Sequence, residues 1–117
     1  MNGLLIVFAA AFLLLLPRFN TANAAGTYDG EWAGTATSTG EQCKRAVVKF
    51  IVEGRNVFGQ ARFERDARKI NGTVGADGSV GATVRFLPFW GQFTGDEFEG
   101  TFKSLDCEWK AVLKRTK

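Results

Sequence analysis

From Tyr28 to Arg115 apolar and polar residues alternate with a period of two, and glycines or short polar runs interrupt the alternation every few positions. Half-buried strands read this way, because successive side chains point to opposite faces. The opening strand sets Tyr28, Trp32 and Ala36 against Asp29, Glu31 and Thr35. The second, from Cys43 to Glu53, aligns Val48, Phe50 and Val52; Val47 and Ile51 make its other face apolar too, as in a strand covered on both sides. Glu53-Gly54-Arg55-Asn56 predicts a turn, with Gly54 and Asn56 suited to positive φ, and a third strand then points Val57, Ala61 and Phe63 one way. After the charged connection Arg65-Asp66-Ala67-Arg68 come Ile70, Gly72 and Val74 in a fourth strand. Asp77-Gly78 predicts a two-residue hairpin turn, and the fifth strand aligns Val80, Ala82, Val84 and Phe86. Leu87-Pro88 reads as an interruption of the ladder, since proline has no amide hydrogen to donate. The last three strands place Phe89, Gly91 and Phe93 together, then Phe98, Gly100 and Phe102, then Cys107, Trp109, Ala111 and Leu113.

Eight short strands in sequence, with no helical period after residue 24, predict an all-β antiparallel meander that curls and closes into a barrel. A two-sheet sandwich is the alternative. Inward glycines such as Gly30, Gly59 and Gly72 suit a narrow barrel, where missing side chains make room for rings. Filling such a barrel takes about as many large side chains as the aromatic row provides, so a packed core is expected rather than a ligand cavity.

The first residues differ from the rest. An apolar run from Leu4 to Leu16 ends at Pro17-Arg18, and Ala22-Asn23-Ala24 fits the small-x-small pattern of a cleavage site, although Met1-Asn2-Gly3 brings no side-chain charge. Thirteen residues would rise about 20 Å as a helix, short of the roughly 30 Å hydrocarbon core. Residues 1–24 are therefore expected to be a signal peptide, an uncleaved anchor being the alternative. Residues 25–117 form a single domain with no transmembrane span after cleavage, exported to the periplasm or secreted. Both cysteines lie in the exported part. An even count in an oxidising compartment predicts a Cys43–Cys107 disulfide, two unpaired buried thiols being the alternative. In the up-and-down order both cysteines fall at one rim, near the seam between strands eight and one.

The chain carries a formal net charge of +3 and has no histidine. Two cysteines without histidine are too few for a zinc site, the Asp96-Glu97 and Glu99 spacing fits no calcium loop, and no metal or cofactor is expected. General acid–base chemistry most often uses histidine, and Ser38, Ser79 and Ser104 have no evident base beside them, so no catalytic residue is assigned and no enzyme is expected. Leu87, Phe89 and Trp90 form the one connection rich in large apolar groups. They are a candidate binding rim for a protein or apolar ligand, or else a plug over the barrel mouth. Phe58, on a polar face, poses the same choice. Arg62, Arg65, Arg68 and Lys69 are the densest basic group and a candidate patch for an anionic envelope polymer, with Glu64 and Asp66 interleaved. Nothing resembles a nucleic-acid module. Asn71-Gly72-Thr73 is a glycosylation sequon, meaningful only in a host with that machinery.

The opening Tyr28-Asp29-Gly30-Glu31-Trp32-Ala33-Gly34-Thr35 and the closing Cys107-x-Trp109 resemble small exported bacterial β-barrel proteins of unassigned function. That resemblance implies a barrel and export, and no activity. In architecture alone the chain also looks like avidin-type barrels and periplasmic metalloprotease inhibitors; no biotin-contacting position and no inhibitory N-terminal segment carries over. The expected function is a non-enzymatic exported binding module working at one rim, the alternatives being a structural or surface-associated envelope protein and a periplasmic protease inhibitor.

Overall fold

A computed structural model describes residues 26–117; the predicted leader, residues 1–24, lies outside the described residues. Eight strands follow in order: β1 (Gly30–Thr37), β2 (Ala46–Glu53), β3 (Asn56–Arg62), β4 (Ala67–Val74), β5 (Ser79–Val84), β6 (Leu87–Thr94), β7 (Glu97–Lys103) and β8 (Glu108–Arg115). Each pairs antiparallel with the next, and β8 returns to β1 through pairs from Trp32↔Arg115 to Thr37↔Lys110. The barrel is closed, so no strand edge is left as a template for another chain. The expected meander is what forms, and not a sandwich.

Alternation decides what lies inside. β2 buries Ala46, Val48, Phe50 and Val52 and exposes every residue between them. The buried set is wholly apolar, with no buried polar or charged side chain among the described residues. Phe50, Phe89, Phe93 and Phe98 meet edge-on or tilted at its centre, with centroid separations between 4.9 and 6.1 Å. Such rings preserve favourable quadrupole geometry where a face-to-face stack would not. Gly100 makes room for them: a Cβ there would stand 2.7 Å from Phe89 and 2.8 Å from Phe98. Both buried tryptophans find an acceptor, Trp32 Nε1 donating to Tyr28 O at 3.0 Å and Trp109 Nε1 to Lys44 O at 2.8 Å.

Five details depart from the sequence reading. Asp77-Gly78 is not a two-residue turn. Gly75 N donates to Ser79 O and Gly78 N to Gly75 O, giving a three-residue loop in which Gly78 (φ 86°) takes the left-handed position and Asp77 does not. Asn56 has ordinary strand backbone; only Gly54 in its turn is left-handed. Phe86 does not point inward: β5 ends at Val84, which pairs with Leu87, so Arg85 and Phe86 form the turn itself. Nor does Pro88 break the ladder. It sits opposite Thr83 in a position whose amide would face β7, and pairing with β7 begins only at Phe89, so its missing N–H loses no ladder bond. Finally, Val47 and Ile51 are exposed on the outer wall, so β2 is covered on one face alone.

The two ends of the barrel differ. At the first, Tyr28 stacks on Phe93 with centroids 4.8 Å apart. Arg115 lies 4.8 Å over Trp32 and donates to Asp96 Oδ1, Asp29 O and Thr27 O. This end is sealed by ring and guanidinium. The other end carries the connections β1–β2, β3–β4, β5–β6 and β7–β8, and here the predicted disulfide between Cys43 and Cys107 is formed, with Cα atoms 5.8 Å apart.

Candidate functional site

The disulfide end is open. A concavity of about 460 Å³ is lined there by Phe63, Trp109, the Cys43–Cys107 bridge and the charged groups of residues 64–68. Trp109 stacks on Phe102 at 5.0 Å, Phe63 meets Trp109 edge-on at 5.6 Å, and Arg68 caps Phe63 with its guanidinium 4.8 Å from the ring centre. Arg68 Nε also donates to Asp66 Oδ2 at 2.8 Å, and that hydrogen bond holds the Asp66 carboxyl below its ordinary pKa. Lys44 and Glu64 approach to 3.8 Å with both side chains largely in solvent, a pair of little energetic weight.

The sequence-derived basic patch divides over this end. Arg65 and Arg68 border the concavity, while Arg62 and Lys69 occupy outward positions on β3 and β4 just below, paired with Ala67 and Gln60. Over the whole end (residues 41–45, 62–69, 84–87 and 103–110) nine basic side chains stand against five acidic ones. At the sealed end (residues 26–31, 53–56, 75–79, 94–97 and 114–117) four stand against six. The barrel is electrically polarised along its axis.

Leu87, Phe89 and Trp90 do not act together. Phe89 is 1% exposed and belongs to the core, Leu87 is half-buried against it, and Trp90 lies on the outer wall of β6 beside Gly81 and Thr101, 45% exposed. Neither a plug nor a joint rim anchor results; the end that is plugged is the opposite one, by Tyr28. Trp90 borders a groove of about 530 Å³ on the β5–β8 wall, and Phe58 packs beside Ile51 above another on β2 and β3.

What the sequence reading missed are two tips. Phe86, between β5 and β6, is 84% exposed, and Leu105, between β7 and β8, is fully exposed. Both stand on the disulfide end, with the Arg85 guanidinium 5.4 Å from the Phe86 ring. Turn chemistry singles out the first tip. Three connections in the barrel are two-residue hairpins, Gly54-Arg55, Arg85-Phe86 and Gly95-Asp96, and in each the first residue alone has positive φ. That is the type II′ pattern, which normally places glycine first. The two glycines are at the sealed end, and Arg85 (φ 58°) is the sole non-glycine with positive φ among the described residues. Backbone strain of this kind persists where something other than stability retains the side chain. Arg85→Gly is accordingly expected to stabilise the fold by about 1 kcal/mol, seen as a Tm rise of a few degrees, because the relieved strain exceeds the added freedom of the unfolded chain.

No cluster of His, Cys, Asp or Glu fit to hold a metal ion occurs among the described residues, and no helix among them is long and apolar enough to cross a membrane. The chain matches no protein-family model and no curated protein.

Proposed function

We propose that this chain is an exported, non-enzymatic binding module that meets its target with the disulfide end of the barrel. The observation that carries this reading is the pair of apolar tips, Phe86 and Leu105, raised above a surface with a basic excess. The interior is filled with rings and aliphatic side chains, which favours contact at the surface over a ligand held within. Export draws support from the disulfide, since such bridges persist in oxidising compartments, and from the apolar leader pattern. The non-enzymatic reading rests on a sequence without histidine and on the setting of Ser79, whose hydroxyl donates to Asp77 Oδ1 at 2.7 Å in an exposed turn and holds that carboxyl below its ordinary pKa, which makes it a poor base.

Two double variants test it. The purified disulfide-intact protein is incubated with the envelope fraction of cells that make it, and the fraction retained is measured after washing. Phe86→Ser with Leu105→Ser is expected to lower retention at least tenfold, while Phe58→Ser with Trp90→Ser on the outer wall leaves it within twofold. Loss confined to the wall pair would place the contact on the barrel side and overturn this reading. Because all four side chains are more than a third exposed, both variants should melt close to wild type.

A further inference from the structure

We infer that the target of the disulfide end is an anionic lipid surface, with Phe86 and Leu105 inserting below the headgroups of one leaflet while the surrounding arginines and lysines lie among the phosphates. This rests on the reading of that end as the contact surface and goes beyond it by naming the chemistry contacted.

Shape is the first argument. Both apolar side chains sit on exposed tips, at the β5–β6 and β7–β8 connections, and the concavity between the strands at this end is lined by charged groups together with Phe63 and Trp109. A protruding phenyl ring or isobutyl group needs a shaped pocket in a protein target, but a fluid bilayer interface accepts it wherever it lands. Charge is the second. Nine basic side chains against five acidic ones surround the tips and the opposite end reverses that balance, so a negative surface turns the barrel tips-down before contact. Arg85 joins the two features: its guanidinium lies 5.4 Å from the Phe86 ring, so one strained turn delivers an apolar group and its own phosphate partner together.

The same side chains exclude a spanning position. Lys49, Lys69 and Lys110 face outward from the wall while the interior is apolar, the reverse of a barrel that crosses a bilayer. With two modest apolar groups and a cationic collar, attachment is reversible and salt-sensitive. A soluble anionic polymer would engage the collar but gain nothing from the tips.

Co-sedimentation with vesicles is the test, using phosphatidylcholine alone and phosphatidylcholine with about one-third phosphatidylglycerol, the leaflet charge on which basic collars act. Wild type should bind the anionic vesicles at least tenfold more tightly than the neutral ones. Phe86→Ser and Leu105→Ser should each weaken that binding by about tenfold, the loss of one buried apolar side chain. In Phe86→Trp, the tryptophan emission should shift to the blue on adding anionic vesicles and be quenched by brominated acyl chains. Three results would each overturn the inference: no binding to anionic vesicles, binding unchanged in the Phe86→Ser, Leu105→Ser double variant, or a Phe86→Trp signal that ignores the vesicles. Capture by dextran sulfate with vesicle binding absent would count against lipid and for polymer. If vesicles fail while envelope retention still depends on Phe86 and Leu105, the lipid inference falls and the rim reading stands; if retention ignores those residues too, both fall.

Discussion

Phe98→Ala is expected to lower the unfolding free energy by about 4 kcal/mol, near the upper end for a single core truncation. Phe98 is 1% exposed and meets Phe50, Phe89 and Phe93 at centroid distances of 5.3, 5.8 and 4.9 Å. It also stands beside Gly91 and Gly100, whose missing side chains leave the ring in direct contact with backbone. Truncation therefore removes apolar burial and three ring contacts, and it opens a cavity that a closed barrel relaxes into poorly, since its strands are pinned on both edges. A small domain has about 5–15 kcal/mol in all, so the variant should sit close to its unfolding threshold. Phe86→Ala is the matching control, the same residue type on a turn tip, and should change stability by less than about 0.5 kcal/mol. Urea denaturation of the two measures both; equal midpoints would mean that the inward and outward sets have been misassigned.

Removing the disulfide comes next in size. Cys43 and Cys107 are 64 residues apart in sequence, and closing a loop of that length contributes about 4 kcal/mol in the chain-entropy model, before any correction for native strain. The bridge also joins the β1–β2 and β7–β8 connections beside the seam where β8 meets β1, and the Trp109–Lys44 hydrogen bond ties the start of β8 to the β1–β2 connection nearby. Cys43→Ala with Cys107→Ala should consequently melt well below wild type and, because Leu105 rides on one of the freed connections, bind the envelope more weakly. Melting curves recorded with and without reductant check the first point. Superimposable curves would contradict it.

Much of the barrel was legible because period-two alternation is a direct consequence of a strand with one face in a core. In β7 and β8 the inward sets Phe98, Gly100, Phe102 and Trp109, Ala111, Leu113 are as the alternation predicts. The disulfide followed from an even cysteine count, and strand order placed both cysteines at one end, since the first and seventh connections lie on the same side of the barrel. The disulfide end was less legible, for a reason of turn geometry. Phe86 is in phase with Val80, Ala82 and Val84, so alternation carried it into the core, whereas a two-residue turn reverses the chain before it arrives. Arg85-Phe86 hides that turn because neither residue is one that turns favour, and Pro88 two residues later attracted the break instead. The same misplaced break made Phe89 a rim candidate when the ladder places it inside. Leu105 gave no periodic signal at all, lying in a short polar connection. Tyr28 was legible as inward but not as the group that seals the far end, where the Arg115 guanidinium donates to Asp29 O and Thr27 O on either side of it.

Hydrogen–deuterium exchange on the disulfide-intact protein, with and without its native envelope membranes, tests the account at its centre. The predicted footprint is slowed exchange in residues 38–45, 63–66, 85–86 and 104–107, the four connections of the disulfide end, with the turns at 54–55 and 95–96 unchanged. Protection at those two turns, or along the outer wall around Trp90, with none at Phe86 and Leu105 would contradict it.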